Sequence, residues 1–278
     1  FALAHAGLGY TLFTDGFFGG IPFVEAVPLA RRAALRALEL DDALSEAHAV
    51  LGDITLFHDW DWASAERELL LALDMNPNNA LARHGLAELV TVLGDGEEGL
   101  RQVEMGREAD PLSYLANFPV AGHLLFVGRY EAVIAEVRSL RELFPEWPNA
   151  GSLFLASALW ELGNLDAALD EYRKGWPIDQ AFGETLATAS AEEGLEGAMR
   201  AWAEYHAGRY PYSVGAVFDA ASCYARAGVY EAALEWLERG YRARLPETLH
   251  AVFYPEFKAL SSDPRFQDLL RRIGIPER

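Results

Sequence analysis

Apolar stretches of helical character run along this chain and break off at regularly placed prolines. Leu71-Ala72-Leu73-Asp74-Met75-Asn76-Pro77, Gly106-Arg107-Glu108-Ala109-Asp110-Pro111 and Leu140-Arg141-Glu142-Leu143-Phe144-Pro145 each end this way, and the three prolines recur every 34 residues. A proline cannot continue a helix, so each marks a stop. Between the stops a glycine is followed two places on by an aromatic or apolar residue and then by alanine. The texts are Gly128-Arg129-Tyr130-Glu131-Ala132, Gly163-Asn164-Leu165-Asp166-Ala167-Ala168 and Gly228-Val229-Tyr230-Glu231-Ala232-Ala233. Glycine tolerates the left-handed backbone needed where one helix stops and the next begins, and alanine lets the two approach closely.

These signals predict about seven helix pairs. They span about 1–40, 45–76, two pairs within 79–144, 149–176, a short irregular pair at 181–207, and 213–242. The first pair carries an insertion, Thr14-Asp15-Gly16-Phe17-Phe18-Gly19-Gly20. A final helix starts near Ser261-Ser262-Asp263-Pro264, with Pro264 at its first position and Asp263 or Ser262 as N-cap. Phe1-Ala2-Leu3-Ala4-His5 already reads as the middle of a helix, which suggests a fragment of a longer protein.

A 34-residue helix–turn–helix period resembles the tetratricopeptide repeat family, and Leu8-Gly9 and Leu51-Gly52 match the Leu-Gly pair of that repeat's first helix. The resemblance implies an all-α, right-handed superhelical solenoid with a C-terminal capping helix. It would form one domain over 1–278, with an atypical pair in 1–44, repeats in 45–245 and a cap in 246–278. A narrower resemblance lies in Asp59-Trp60-Asp61-Trp62-Ala63-Ser64-Ala65-Glu66-Arg67, in Ala72-Leu73-Asp74-Met75-Asn76-Pro77-Asn78, in the arginine- and alanine-rich stretch 30–41, and in Asp263-Pro264-Arg265-Phe266-Gln267-Asp268-Leu269-Leu270. Together these look like the repeat tails of bacterial signalling proteins that begin with a serine/threonine kinase, a winged-helix regulator or a nucleotide cyclase. That likeness implies a cytoplasmic sensing or docking region whose output domain precedes Phe1.

Charge narrows the partners. Among 278 residues, 42 acidic side chains face 23 basic ones, a formal charge of −19. Nucleic acid and anionic membrane both require the opposite sign. No apolar run approaches the roughly 18 residues of a membrane span. The single cysteine, Cys223, excludes an intrachain disulfide framework or a cysteine-based zinc site.

Candidate chemistry is sparse. His84 and Glu88 share a helix face at a spacing of four, but no His-Glu-x-x-His text accompanies them, so they read as a polar pair. His58-Asp59-Trp60-Asp61-Trp62 sets two carboxylates beside aromatic platforms. The same residues are explained by a turn in which Asp59 or Asp61 caps the next helix and the tryptophans pack beneath it. Gly94-Asp95-Gly96-Glu97-Glu98-Gly99 has dinucleotide-loop glycine spacing without a preceding strand, and its acids would repel a pyrophosphate. Cys223, among alanines, reads as a small core residue, and no Gly-x-Ser-x-Gly text occurs. We therefore expect no catalytic, cofactor-binding or metal-binding residue and no enzymatic activity.

Function then falls to the concave groove of the solenoid. Repeat register places Tyr10, Phe13, Asp53, Leu56, Phe57, His84, Glu88, Phe118, Gly122, Phe126, Ser157, Trp160, Phe218 and Ser222 along it. This aromatic, mildly acidic set lacks the basic cradle with which some family members hold a peptide carboxylate. It suits a protein or peptide with apolar anchors and some positive charge. Three readings compete: an interaction scaffold in a signalling protein, a sensor of a small peptide or metabolite, and, less favoured, an α/α-toroid sugar enzyme. The insertion, through Phe17 and Phe18, could supply a lid or a homo-oligomer contact. The groove reading predicts that alanine at Phe57 and Trp160 removes partner capture while the helix content survives.

Overall fold

The computed structural model describes residues 1–17, 20–176, 178–209 and 215–276. Among them the chain is all-α. The helices are α1 Ala2–Phe17, α2 Phe23–Leu40, α3 Ser45–Ile54, α4 Trp62–Met75, α5 Ala80–Val92, α6 Gly96–Ala109, α7 Tyr114–Phe126, α8 Tyr130–Leu143, α9 Ser152–Glu161, α10 Leu165–Gly175, α11 Gln180–Arg209, α12 Ala216–Arg226, α13 Tyr230–Arg242 and α14 Pro264–Ile273. A π-helical turn, Thr55–Asp59, extends α3, and two 3-10 segments, Pro246–Val252 and Pro255–Leu260, precede α14. Successive helices pack as pairs and neighbouring pairs stack, giving a helical solenoid. No helix among the described residues is long and apolar enough to cross a membrane.

The local signals do their expected work. Pro77, Pro111 and Pro145 fall just beyond α4, α6 and α8. Gly94, Gly128, Gly163 and Gly228 turn the chain within their pairs at φ of +111, +77, +77 and +72°. Asp61, Asn79, Asp95 and Asp263 cap α4, α5, α6 and α14 by accepting backbone N–H bonds. Of the two acids proposed as caps in the tryptophan-rich turn, Asp61 has the role. Asp59 instead pairs with Arg31 at 2.7 Å.

The irregular sixth pair is a tight hairpin. In a straight helix Phe182 and Tyr205 would stand about 35 Å apart at 1.5 Å per residue. Their rings stack at 4.1 Å, and Phe182 also meets Trp202 at 4.9 Å. The reversal sits at Gly194, whose φ of 64° and ψ of −143° suit glycine alone.

Repeat two departs from the pattern. Trp60 stands one 34-residue period before Gly94, yet it is a tryptophan, and its φ of 58° and ψ of 35° are left-handed. Its indole stacks on Tyr241 at 5.5 Å and lies under the Arg244 guanidinium at 4.2 Å. Nearby, Trp62 Nε1 donates to the Gly274 carbonyl at 2.9 Å. The last helix pair and α14 thus meet the turn of the second pair, and one apolar core unites both ends of the chain.

Candidate functional site: a groove filled by its own chain

After α13 the chain turns inward at Arg244, a non-glycine residue with φ of 53°. Two prolines shape the segment beyond it. Pro246 and Pro255 hold Leu245 and Tyr254 extended, with ψ of 132° and 133°, and each opens a short 3-10 turn. A continuous helix is thereby prevented, and 246–260 runs as an irregular strip along the first helices of the pairs.

The strip is deeply anchored. Leu249, Phe257 and Leu260 are at most 1% exposed and Phe253 is 8% exposed. Phe253 meets Phe126 of α7 at 4.2 Å. Tyr254 meets Phe126 at 5.3 Å and Phe218 of α12 at 5.2 Å, while Phe257 meets Phe218 at 5.6 Å. Two polar clamps complete the seat. His250 Nε2 lies 3.7 Å from Glu88 Oε2, and Glu88 Oε1 is 3.4 Å from His84 Nε2. Arg226 Nη2 bonds Glu256 at 2.9 Å with both side chains 1% exposed, and the Ser222 hydroxyl donates to the same carboxylate. Arg226 also donates to Ser157 Oγ at 3.1 Å and lies over the Trp160 ring at 4.9 Å.

Of the residues expected in the groove, Glu88, Phe126, Phe218 and Ser222 touch the strip directly. Ser157 and Trp160 reach it through Arg226, and His84 through Glu88. Asp53 lies buried beside this polar group. Tyr10 is half-buried, its phenol raised by burial and by the Asp53 charge. Phe13 and Phe57 lie elsewhere, in an aromatic cluster with Phe17 and Phe23 at 5.4 to 6.5 Å. Leu56 is fully buried core. Phe118 packs between Tyr114 and Phe154, and Gly122 faces Phe154. Phe57 is so enclosed that its truncation would cost about 3–5 kcal/mol of stability, which makes it unsuited to a test of binding alone. Phe17 belongs to that core cluster, while Phe18 lies outside the described residues.

The buried polar group has uneven electrostatics. Burial pushes the Asp53 carboxyl up to about 7, with His84 pulling it down and Glu88 pushing it up. Burial also opposes ionisation of Glu88, but the pull of the neighbouring His250 and His84 rings outweighs it and holds this carboxyl well below its ordinary range. For His84, burial is outweighed by Glu88 and Asp53, so its pKa is raised; burial lowers that of His123. Among the described residues, no group of three or more His, Cys, Asp or Glu is placed to hold a metal ion.

Arg226, His250, Phe253 and Glu256 were not singled out from the sequence. Their signal was present in Phe253-Tyr254-Pro255-Glu256-Phe257, an aromatic run broken by proline and too short for helical periodicity.

No family model matches the chain, and no curated protein matches it. Among solved structures it is similar to PilF of Pseudomonas aeruginosa, with 17% identity and a TM-score of 0.52 over 79% of this chain and 94% of that one. A structure of Naa15/Naa10 bound to HypK-THB aligns with 14% identity and a TM-score of 0.43, over 97% of this chain and 46% of that one. The P58(IPK) TPR domain aligns with 12% identity and a TM-score of 0.30, over 98% and 97%. At such identities the likeness to PilF is one of fold, and it agrees with the helical solenoid described above.

Proposed function

We propose that this chain is a non-enzymatic protein-interaction scaffold whose concave groove is permanently filled by its own segment 246–260. The observation that carries the reading is the depth of that seat. Burying a Leu or Phe side chain is worth about 1.5–3 kcal/mol, so Leu249, Phe253, Phe257 and Leu260 together contribute about 6–12 kcal/mol. That matches the whole stability of an ordinary domain, about 5–15 kcal/mol. A partner that displaced the strip would come close to unfolding its receptor. The groove residues therefore bind a peptide with aromatic anchors, and that peptide is supplied in cis. Partners are left the outer surface.

The narrower reading is a cytoplasmic docking region of a bacterial signalling protein. It is supported by the tryptophan-rich turn of repeat two and the Asp-Pro-Arg-Phe start of α14. Hydrogen exchange on the full chain tests the filled groove. Amides of 246–260 should exchange as slowly as those of α5 and α12. Exchange within seconds, while the helices stay protected, would refute the permanent seat.

The alternative of metabolite sensing has one observation in its favour. Asp53 Oδ1, Glu88 Oε2 and His123 Nε2 are buried without a hydrogen-bond partner in the protein. Screening small polar metabolites for a thermal shift that Asp53→Asn abolishes would test it.

A further inference from the structure

The outer faces of most helices here are charged. The exposed positions of α6, for example, include Glu97, Arg101 and Glu108. Helix α1 breaks this rule, because from Ala2 to Thr14 it holds no Asp, Glu, Lys or Arg. Leu3 and Leu8 are nevertheless 52% and 50% exposed. Leu8 and Leu12 lie four apart on one face. Across from them α2 presents Leu29 and Leu35, and the four leucines line an open trough of about 940 Å³ between the helices. Leaving such a face in water forgoes the burial that an amphipathic helix normally gains.

The rim has a definite sign. In a chain of net charge −19, the trough is bordered by Arg31, Arg32 and Arg36. Arg31 is occupied by Asp59 at 2.7 Å and Arg36 by Glu39 at 2.6 Å. Arg32 is exposed, and no carboxylate among the described residues pairs with it. The lining also includes His5, His58, Asp59 and Glu39, but the two acids are already paired with Arg31 and Arg36, and so open a trough is a poor small-molecule pocket. An open, leucine-lined trough between two helices suits a helix laid in a groove.

We propose that the α1–α2 trough docks an amphipathic helix of a partner protein, leucine-faced toward the floor and acidic along the flank that meets Arg32. This rests on the scaffold reading above and names the chemistry of the partner. The acidic flank is assigned by charge complementarity, which steers encounter and selects the partner.

The test uses the full chain and two fluorescein-labelled helical peptides. Both carry leucine at i, i+3 and i+7; one has glutamates along the flank and the other lysines. The glutamate peptide should bind, more weakly as salt rises, and about tenfold tighter than the lysine peptide. Arg32→Glu should weaken it about fivefold or more, and Leu8→Asp should abolish binding, with unchanged far-UV dichroism because both side chains are exposed. Equal binding of the two peptides, or indifference to either substitution, overturns the proposal. So does sedimentation showing a dimer that Leu8→Asp converts to monomer, since a second copy would then cover the face. A negative result here would leave the protection of 246–260 untouched, so the two ideas fail separately.

Discussion

Trp60 offers a prediction whose sign runs against habit. In an exposed helix, glycine is worse than alanine by about 1 kcal/mol. At position 60 the order should invert. Trp60 holds φ of 58° and ψ of 35°, a conformation that costs a residue with a Cβ about 1–2 kcal/mol. Both Trp60→Ala and Trp60→Gly remove the same indole, with its stack on Tyr241 and its contact with Arg244. Each should therefore lose about 3–5 kcal/mol of burial. Glycine alone also releases the left-handed strain. Against that gain stands the greater freedom of glycine in the unfolded chain, about 0.4–1 kcal/mol. The net is an advantage for glycine over alanine within about 0–1.6 kcal/mol, and about 0.8 kcal/mol at the middle of both ranges. Equilibrium urea unfolding by far-UV dichroism reads this as a higher midpoint for Trp60→Gly. A matched pair at the exposed helical residue Glu66 of α4 should show alanine above glycine. If alanine matches or exceeds glycine at position 60, the strain argument fails, and the tryptophan sits there without backbone cost.

Two further predictions concern the buried polar groups. Removing one partner of a buried ion pair strands the other, so Arg226→Met should cost about 3–5 kcal/mol. The double variant Arg226→Met with Glu256→Met should recover much of that loss; urea midpoints in which the two substitutions add would refute the pairing. The second concerns pH. Asp53 titrates near 7 when folded against 3.8 ordinarily, so above about pH 4 the unfolded chain binds fewer protons and stability falls as pH rises, levelling beyond 7. The raised pKa of His84 acts in the same direction, since its contribution is lost as pH climbs through that value. The depressed pKa of Glu88 acts on the acid side, its contribution being lost as pH falls. The urea midpoint should drop between pH 6 and 8.5, and Asp53→Asn should flatten the drop. An unchanged slope in that variant would remove Asp53 as the cause.

The helix pairs were legible because their signals are local. Proline stops, glycine turns and capping acids each act within a few residues of where they are written, so Pro77, Gly128 and Asp263 could be read in place. The sixth pair was legible only as irregular, since the reversal hangs on one glycine at 194 with no proline beside it. What escaped was long-range. Phe253 and Phe126 are far apart in sequence, and nothing near either residue announces the other. A strip in 3-10 turns has neither the 3.6-residue nor the two-residue period, so 246–260 read simply as part of a cap. Aromatic residues at groove positions could not be divided into those facing the strip, such as Phe126, and those buried between helices, such as Phe57. In the 34-residue register Phe57 is level with Leu125, one place short of Phe126, and so small an offset does not separate the two kinds.

The filled groove and the left-handed tryptophan are linked by position. A solenoid contacts only its neighbours unless something carries it across its own axis. Here the strip spans the interior, and the residues at either end of it meet repeat two. Arg244, just before the strip, covers Trp60, while Gly274, just after α14, accepts from Trp62. Repeat two therefore bears a tryptophan where its successors carry glycine, because its turn is also a docking point for the chain's end. The backbone strain at Trp60 is local, and the contacts that offset it come from some 180 residues away in sequence. Such closure converts a stack of semi-independent pairs into one cooperative unit. The exposed leucines of α1 and α2 take no part in that closure, so a partner can add to them without competing against the fold.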